Sequence, residues 1–457
     1  MTDETLPIDL GGGLTLRVAT PADVEPLAAF NGQVHAASSG EPDAGAAAWT
    51  RDLLQRPHPT FRPDLFTVVE DRATGAIVSS LNLIPQTWSY GGHEFGVGRV
   101  ELVGTHADYR RRGLVRHQME IAHRWSAEQG HLLQGITGIP WYYRQFGYEM
   151  TLPLGGGHRV PASDIPAAAD GTTEPYRLRT ATPADVPFLT ATDDDGRRRS
   201  LVSCVRDEAC WRYELEQFGD DEQNEDRVVV SIIELVEGTG DEGVARSVGF
   251  VASLRRLWNG TFWIRACEIA PGVSWLDVAP SLLRALQTMG TTAAAATPKE
   301  GDQPVRLERL GLDLGTGHPL YQVLPDRARD VERPYAWYIR IPDLPAFVRC
   351  IAPLLEVRLA ASPAVGYSGD LRLNFYRDGL RLTFAGGRLD EVAEWPEADR
   401  ADAGASFPPL TFLHLLLGYR SLADLEYLFA DCRAGEEARV LVEILFPTAP
   451  SFIWPLS

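Results

Sequence analysis

The residues best suited to chemistry in this sequence are Arg110, Arg111 and Arg112, three consecutive arginines followed by Gly113 within the stretch YRRRGLV at 109–115. An apolar run ends just before them at Thr105, and a helical pattern follows from Arg116 to Glu128, so the stretch is expected at a strand-to-helix turn. At such a turn the first backbone N–H groups and the positive end of the helix dipole face outward, and a glycine lets a ligand approach the main chain. This is an anion site suited to phosphate. The formal net charge of -19 argues against general binding to nucleic acid or to an anionic membrane, because phosphate backbones are held mainly by Lys and Arg. A cationic substrate fits that balance better.

The elements that must carry the loop follow from the surrounding pattern. Phe66 to Glu70 and Ala76 to Ile84 read as strands joined by a turn, because β-branched residues recur between turn formers. Gly91 and Gly92 suggest a further hairpin leading to a strand from Arg99 to Thr105, and Leu132 to Ile136 is another strand after Gly130 ends the helix. The chain of 457 residues is too long for one ordinary core, so two to four domains are expected. A repeat organises them. LRVATPADV at 16–24 and LRTATPADV at 178–186 agree at eight of nine positions, 162 residues apart. Each reads as a strand, a Thr N-cap, Pro at N1 and Asp at N3. Two tandem copies of one α+β fold are expected, at 1–160 and 176–334, with 161–175 as a Pro-rich and acidic linker and a third domain at 335–457. In the second copy, Gly219 to Asp226 and Thr291 to Gly301 are expected loops. In the third domain, Leu344 to Ala361 is an expected amphipathic helix, and Leu371 to Phe384 an expected hairpin around Asp378-Gly379.

Five cysteines, Cys204, Cys210, Cys267, Cys350 and Cys432, are scattered without a CxxC pair or metal spacing, so no metal is expected and a reduced, cytoplasmic compartment is the simplest reading. The acidic N-terminal residues do not read as a signal peptide, and no apolar run approaches the roughly 20 residues of a spanning helix.

Arg110 to Val115 resembles the Arg/Gln-x-x-Gly-x-Gly/Ala loop with which GNAT acyltransferases hold the pyrophosphate of acetyl-CoA. With the repeat and the C-terminal stretches LRLNFYRDGLRLTFAGGRL and FPPLTFLHLLLGYRSL, the whole chain is similar to the Eis-type acetyltransferases, which have two GNAT domains and a sterol-carrier-protein-like domain. Val115 departs from the general GNAT pattern, as it does in that subgroup. The resemblance implies a CoA site made of Val103, Gly104 and Thr105 on the strand, Arg110, Arg111, Arg112, Gly113, Leu114, Val115 and Arg116 at the turn, and Gly138 and Ile139 after the next strand. It implies that Tyr143, four residues before Gly147, protonates the leaving thiolate, with Tyr142 as the alternative packing ring. It also offers two bases to deprotonate the attacking amine: the C-terminal carboxylate of Ser457 and Glu101, with His106 a weaker third. A hexamer is expected on resemblance alone.

The second copy serves as an internal comparison. Shifting the loop by 162 lands on Gly272 to Asp277, which contains no arginine, and Arg306 to Leu312 is expected to match the tyrosine motif, with Leu307 in place of Tyr143. The second copy is therefore expected to be a structural wall of the substrate site. The expected activity is direct transfer of acetyl from acetyl-CoA to a primary amine of a cationic small molecule or lysine, with no acyl-enzyme. The rival is a non-catalytic protein that binds an apolar ligand in its sterol-carrier-like domain.

Overall fold

In the computed structural model, structure is described for residues 5–36, 40–169, 171, 173–216, 227–237, 244–297, 304–324, 326–327, 330–395 and 403–456. The expected loop at 219–226 lies outside them. The two TPAD stretches fold alike. Thr20 and Thr182 each cap a helical turn in a capping box closed by Asp23 and Asp185. Arg17 bridges Asp23 and Glu70, and Arg179 bridges Asp185 and Glu234, at 2.7 Å for each of these four contacts. A guanidinium thus ties the cap to a neighbouring strand in the same way twice.

The first sheet has nine strands. Eight run in the order Ile8–Gly11, Leu14–Val18, Phe66–Asp71, Ala76–Tyr90, His93–Thr105, Leu133–Ile136, Tyr335–Arg340 and Glu149–Leu154, and Val202–Cys204 pairs with Ala76–Tyr90. The second sheet repeats the central order with seven strands: Tyr176–Thr180, Val228–Glu237, Val244–Leu254, Thr261–Ile269, Arg309–Leu312, Gly157–Pro161 and Asp330–Glu332. In each, one parallel pair is connected by a helix, Leu114–Glu128 in the first and Trp275–Ala296 in the second.

The sheets exchange a strand. Gly157–Pro161 leaves the first sheet to pair with Arg309–Leu312 and Asp330–Glu332, and Tyr335–Arg340 returns to pair with Leu133–Ile136 and Glu149–Leu154. Gly157–Pro161 therefore crosses the expected boundary at 160/161, while Tyr335–Arg340 begins at the expected boundary at 334/335 and pairs back into the first sheet. The stretch read as a linker, 161–175, begins at the last residue of one of these strands, whose main-chain groups find ladder partners that composition does not reveal. Two further expectations are corrected. Residues 291–296 are the last turns of the long Trp275–Ala296 helix, whose apolar side meets Phe262 and Leu310. Residues 344–361 form two helices, Leu344–Cys350 and Ala352–Ala360, because Pro353 has no N–H to continue the ladder.

The C-terminal region contributes a five-stranded sheet that includes the hairpin Gly369–Asn374 and Gly379–Ala385. Its inward leucines, with Phe347, Ile351 and Leu355, share one buried cluster with Trp88, Tyr90 and Phe95 of the first sheet. Tyr90 donates its hydroxyl to the Leu416 carbonyl at 2.5 Å, and Phe347 stands edge-on to both Tyr90 and Phe95. The region is therefore fastened to the first sheet by a continuous apolar core. Among the described residues no helix is long and apolar enough to cross a membrane.

Candidate active site

The site begins where two strands part. His93–Thr105 and Leu133–Ile136 are paired only from Val97 to Arg99 against Leu133 to Gly135. Beyond Arg99 the first strand carries a bulge, with a register shift opposite Ser80 to Asn82 and Leu102 at a φ of 49°. A bulge bends a strand and increases its twist, so Val103, Gly104 and Thr105 diverge and present one edge without a strand partner among the described residues. Gly104 has no Cβ because Val34 packs 2.5 Å from where one would stand.

The resulting cleft, about 570 Å³, collects most of the expected cofactor residues. Val103, Gly104, Thr105, Arg110, Arg111, Gly113, Leu114, Val115, Arg116, Ile139 and Tyr143 all line it, with Val34, Tyr109, Tyr142, Gln145 and Phe146. Gly113 is the N-cap of the Leu114–Glu128 helix at a φ of 78°, and nothing lies within 4 Å of its missing Cβ. Arg111 also lies in the left-handed region, at 64°. Two left-handed residues so close together turn successive N–H groups toward one side, the arrangement that cradles an anion. Arg110 reaches back to the Thr105 carbonyl at 3.4 Å, and Arg116 is held by the Gln145 amide oxygen at 3.1 Å beside the Phe146 ring.

Two expected residues stand outside the cleft wall. Arg112 donates to the Asp108 carbonyl and lies over the Tyr109 ring, so its guanidinium braces the turn. Gly138, at a φ of 132°, backs onto Tyr143, whose hydroxyl would lie 3.5 Å from a Cβ there. His106 caps the short turn before the arginines by accepting from Asp108 N–H.

Tyr143 is buried within the cleft wall, against the rings of Tyr142, Tyr148 and Tyr338 at centroid distances of 5.1, 6.4 and 5.5 Å. Among the described residues its hydroxyl has no hydrogen-bond partner, which leaves the proton available to a ligand. Burial, and after it the charge of Glu101, pushes the phenol well above its usual pKa, so it is a protonated donor at neutral pH. Sequence reasoning missed Tyr338. It arrives on the exchanged strand, donates to the Ile139 carbonyl at 3.0 Å and accepts from Trp141 N–H at 2.5 Å. Tyr335 on the same strand donates to the Gly138 carbonyl. The exchanged strand therefore shapes the loop that bounds the cleft.

Glu101 sits beside the split, its Oε1 2.7 Å from Arg99 Nε. Arg99 Nη1 donates to the Leu456 carbonyl at 2.8 Å, and Gln86 donates to the same oxygen at 3.3 Å. Arg206 holds the Trp454 and Pro455 carbonyls and stacks on the Trp454 ring at 3.5 Å. The tail is thus drawn to the arginine that pairs with Glu101; Ser457 itself lies outside the described residues. Between the two sheets and this tail is a second cavity of about 350 Å³, lined by residues that include Arg99, Thr137, Glu214, Asp313, Trp337 and Trp454. No sequence signal joined these positions, which come from both repeats and the tail.

The second copy differs from expectation in register. Its helix starts at Trp275, so the counterpart of Gly113 is Ser274, 161 residues on, and the turn still contains no arginine. Arg309–Leu312, within the stretch matched to the tyrosine motif, is instead the parallel strand equivalent to Leu133–Ile136. The short helix that follows, Pro319–Val323, corresponds to Tyr142–Phe146, and Leu320 takes the place of Tyr143. The mismatch arose because both segments contain a glycine after a basic residue; only the ladder distinguishes them.

Residues 16–151 match the family described as acetyltransferase (GNAT) domain. Comparison with curated proteins gives no significant match. Among solved structures, a GCN5-related N-acetyltransferase from Anabaena variabilis is 14% identical with a TM-score of 0.62, over 96% of this chain and 98% of that one. One from Kribbella flavida is 18% identical with a TM-score of 0.61, over 97% and 100%. Eis1 from Mycobacterium abscessus is 15% identical with a TM-score of 0.57, over 96% and 98%. At these identities the likeness is one of fold, and it spans nearly the whole chain. Residues 16–151 thus carry the match to the acetyltransferase (GNAT) domain, within a chain that shares its fold with these acetyltransferases.

Proposed function

We propose that the protein is an N-acetyltransferase of the Eis type that moves an acetyl group from acetyl-CoA directly to an amine. The observation that carries this reading is one cleft in which an open helix N-terminus with Arg110 and Arg111 faces the unpartnered hydroxyl of Tyr143. The residues fit the group they would hold: the space above Gly113 is clear for a pyrophosphate, and the unpaired edge of Val103 to Thr105 offers main-chain groups to a pantetheine arm.

In the reaction the amine attacks the thioester carbonyl, the C–N bond forms and the C–S bond breaks. Tyr143 gives its proton to the departing thiolate, and a carboxylate takes the proton lost by the amine. Glu101, whose charge bears on Tyr143, and the Ser457 carboxylate are the two alternatives for this base. The second sheet would be a degenerate copy whose turn lost the arginines, and the C-terminal region a sterol-carrier-like domain that fastens the tail. Cys204 is a poor nucleophile, its thiol pushed up to about 12 by burial.

A thiol-release assay with acetyl-CoA across a panel of amines tests the reading. Thiol release that depends on an amine, and that falls in Tyr143→Phe, supports it. CoA binding without turnover of any amine favours the non-catalytic rival. Glu101→Gln and removal of Leu456 with Ser457 separate the two bases by which one abolishes turnover.

A further inference from the structure

From the second cavity we infer that the acceptor is a compact amine with an aromatic or apolar body, and that polycations are poor substrates; this rests on the acetyltransferase reading above. The cavity lies on the far side of the strand split from the arginine loop. Arg99, the last paired residue before the split, and Thr137, just beyond the partner strand, both line it. An amine entering here would meet the acetyl group of a donor lying in the cleft, next to Glu101.

The wall is aromatic, and its charged groups are paired with one another, with Asp313 Oδ1 left buried and unpartnered. Trp49, Trp337 and Trp454 face the cavity with Phe452. Its two carboxylates are each held by an arginine on the same wall, Glu214 by Arg206 at 3.0 Å and Asp313 by Arg265 at 2.6 Å, and the third guanidinium, Arg99, is paired with Glu101. A polyamine or an aminoglycoside would bring several ammonium groups against three guanidiniums, while among the described residues Asp313 Oδ1 is the single oxygen of the wall carboxylates that is buried without a partner, and burying unpaired like charge is costly. A single ammonium can instead rest on the indole faces until it is deprotonated.

The arginines do not offer a carboxylate clamp either. In Arg206 the Nε, Nη1 and Nη2 atoms are all engaged, by the Trp454 carbonyl, Glu214 and the Pro455 carbonyl. Arg99 uses Nε and Nη1 on Glu101 and Leu456. The remaining guanidinium, Arg265, already bonds Asp313. With ionic recognition limited to Asp313 Oδ1 and the free edge of Arg265, ring stacking and apolar contact are most of what the wall provides. The acidity of the whole chain acts at long range on approach, whereas the wall decides what is held.

The test uses 2-phenylethylamine against spermidine and kanamycin. With saturating acetyl-CoA, kcat/KM for the aromatic monoamine is expected to exceed that for either polycation by about tenfold or more, one decade being ~1.4 kcal/mol of differential binding. Trp49→Ala should lower that value about tenfold, with Trp49→Phe largely restoring it and the KM for acetyl-CoA unchanged in both. A direct arm needs no turnover: 2-phenylethylamine should quench the indole fluorescence of the wild type and less so that of Trp49→Ala. Preference for spermidine or kanamycin, or no quenching by the monoamine, overturns the inference. Failure to bind CoA, measured by calorimetry, overturns the acetyltransferase reading instead, and the fluorescence arm still decides the cavity.

Discussion

Replacing Tyr143 with phenylalanine removes one oxygen and leaves the ring in place. The ring is fixed by Tyr142, Tyr148 and Tyr338, and the hydroxyl makes no hydrogen bond within the described protein, so folding loses almost nothing. The change in stability should stay within ~0.5 kcal/mol, as for a substitution that breaks no contact. Catalysis should respond very differently. A positioned general acid contributes on the order of 10²–10⁴ in rate, equivalent to ~3–5 kcal/mol in the barrier. Single-turnover thiol release should fall by at least about a hundredfold, with the dissociation constant for CoA unchanged. Because burial and Glu101 raise the phenol above its ordinary pKa, the wild type should show no loss of rate from ionisation of this acid up to about pH 10. A Tyr143→Phe enzyme within about threefold of wild type would show that the thiolate leaves without this proton, and would refute the assignment.

The loop arginines should separate. Arg111 lines the cleft whereas Arg112 braces the turn, so Arg111→Ala should weaken CoA binding by roughly 10- to 100-fold in calorimetry, and Arg112→Ala less. Gly113→Ala should lower stability by roughly 1–2 kcal/mol, since a left-handed residue gains a Cβ, and it should also weaken CoA, whose approach to the backbone the methyl obstructs. His131 and His414 are held near pKa 4 by burial, below the usual 6.5. The unfolded chain therefore binds more protons between pH 6.5 and 4. Each histidine should cost up to about 1.4 kcal/mol of stability per pH unit as the pH falls through that window, and denaturant titrations at stepped pH would show no such slope if both were exposed.

Local structure was legible in the sequence because it is written in consecutive residues. The TPAD caps and the arginine turn form within one or two turns of chain, and each stands at the helix start where the pattern put it. What could not be read depends on distant partners. Gly157–Pro161 is five residues rich in turn formers, and only the edges of Arg309–Leu312 and Asp330–Glu332 make it a strand. Tyr338 acts on a loop nearly two hundred positions earlier, and no spacing rule connects it to Trp141. The same limit misplaced the counterpart of Tyr143 in the second sheet, since a basic residue and a glycine can stand in a strand or after a short helix alike.

The central claim is that the turn at Arg110 to Val115 holds the pyrophosphate of CoA. Isothermal titration of CoA into the wild type and Arg111→Ala tests it most directly. One CoA per chain on the wild type, weakened in Arg111→Ala at unchanged thermal stability, is the predicted result. Equal binding by both proteins, or none by the wild type, would contradict it.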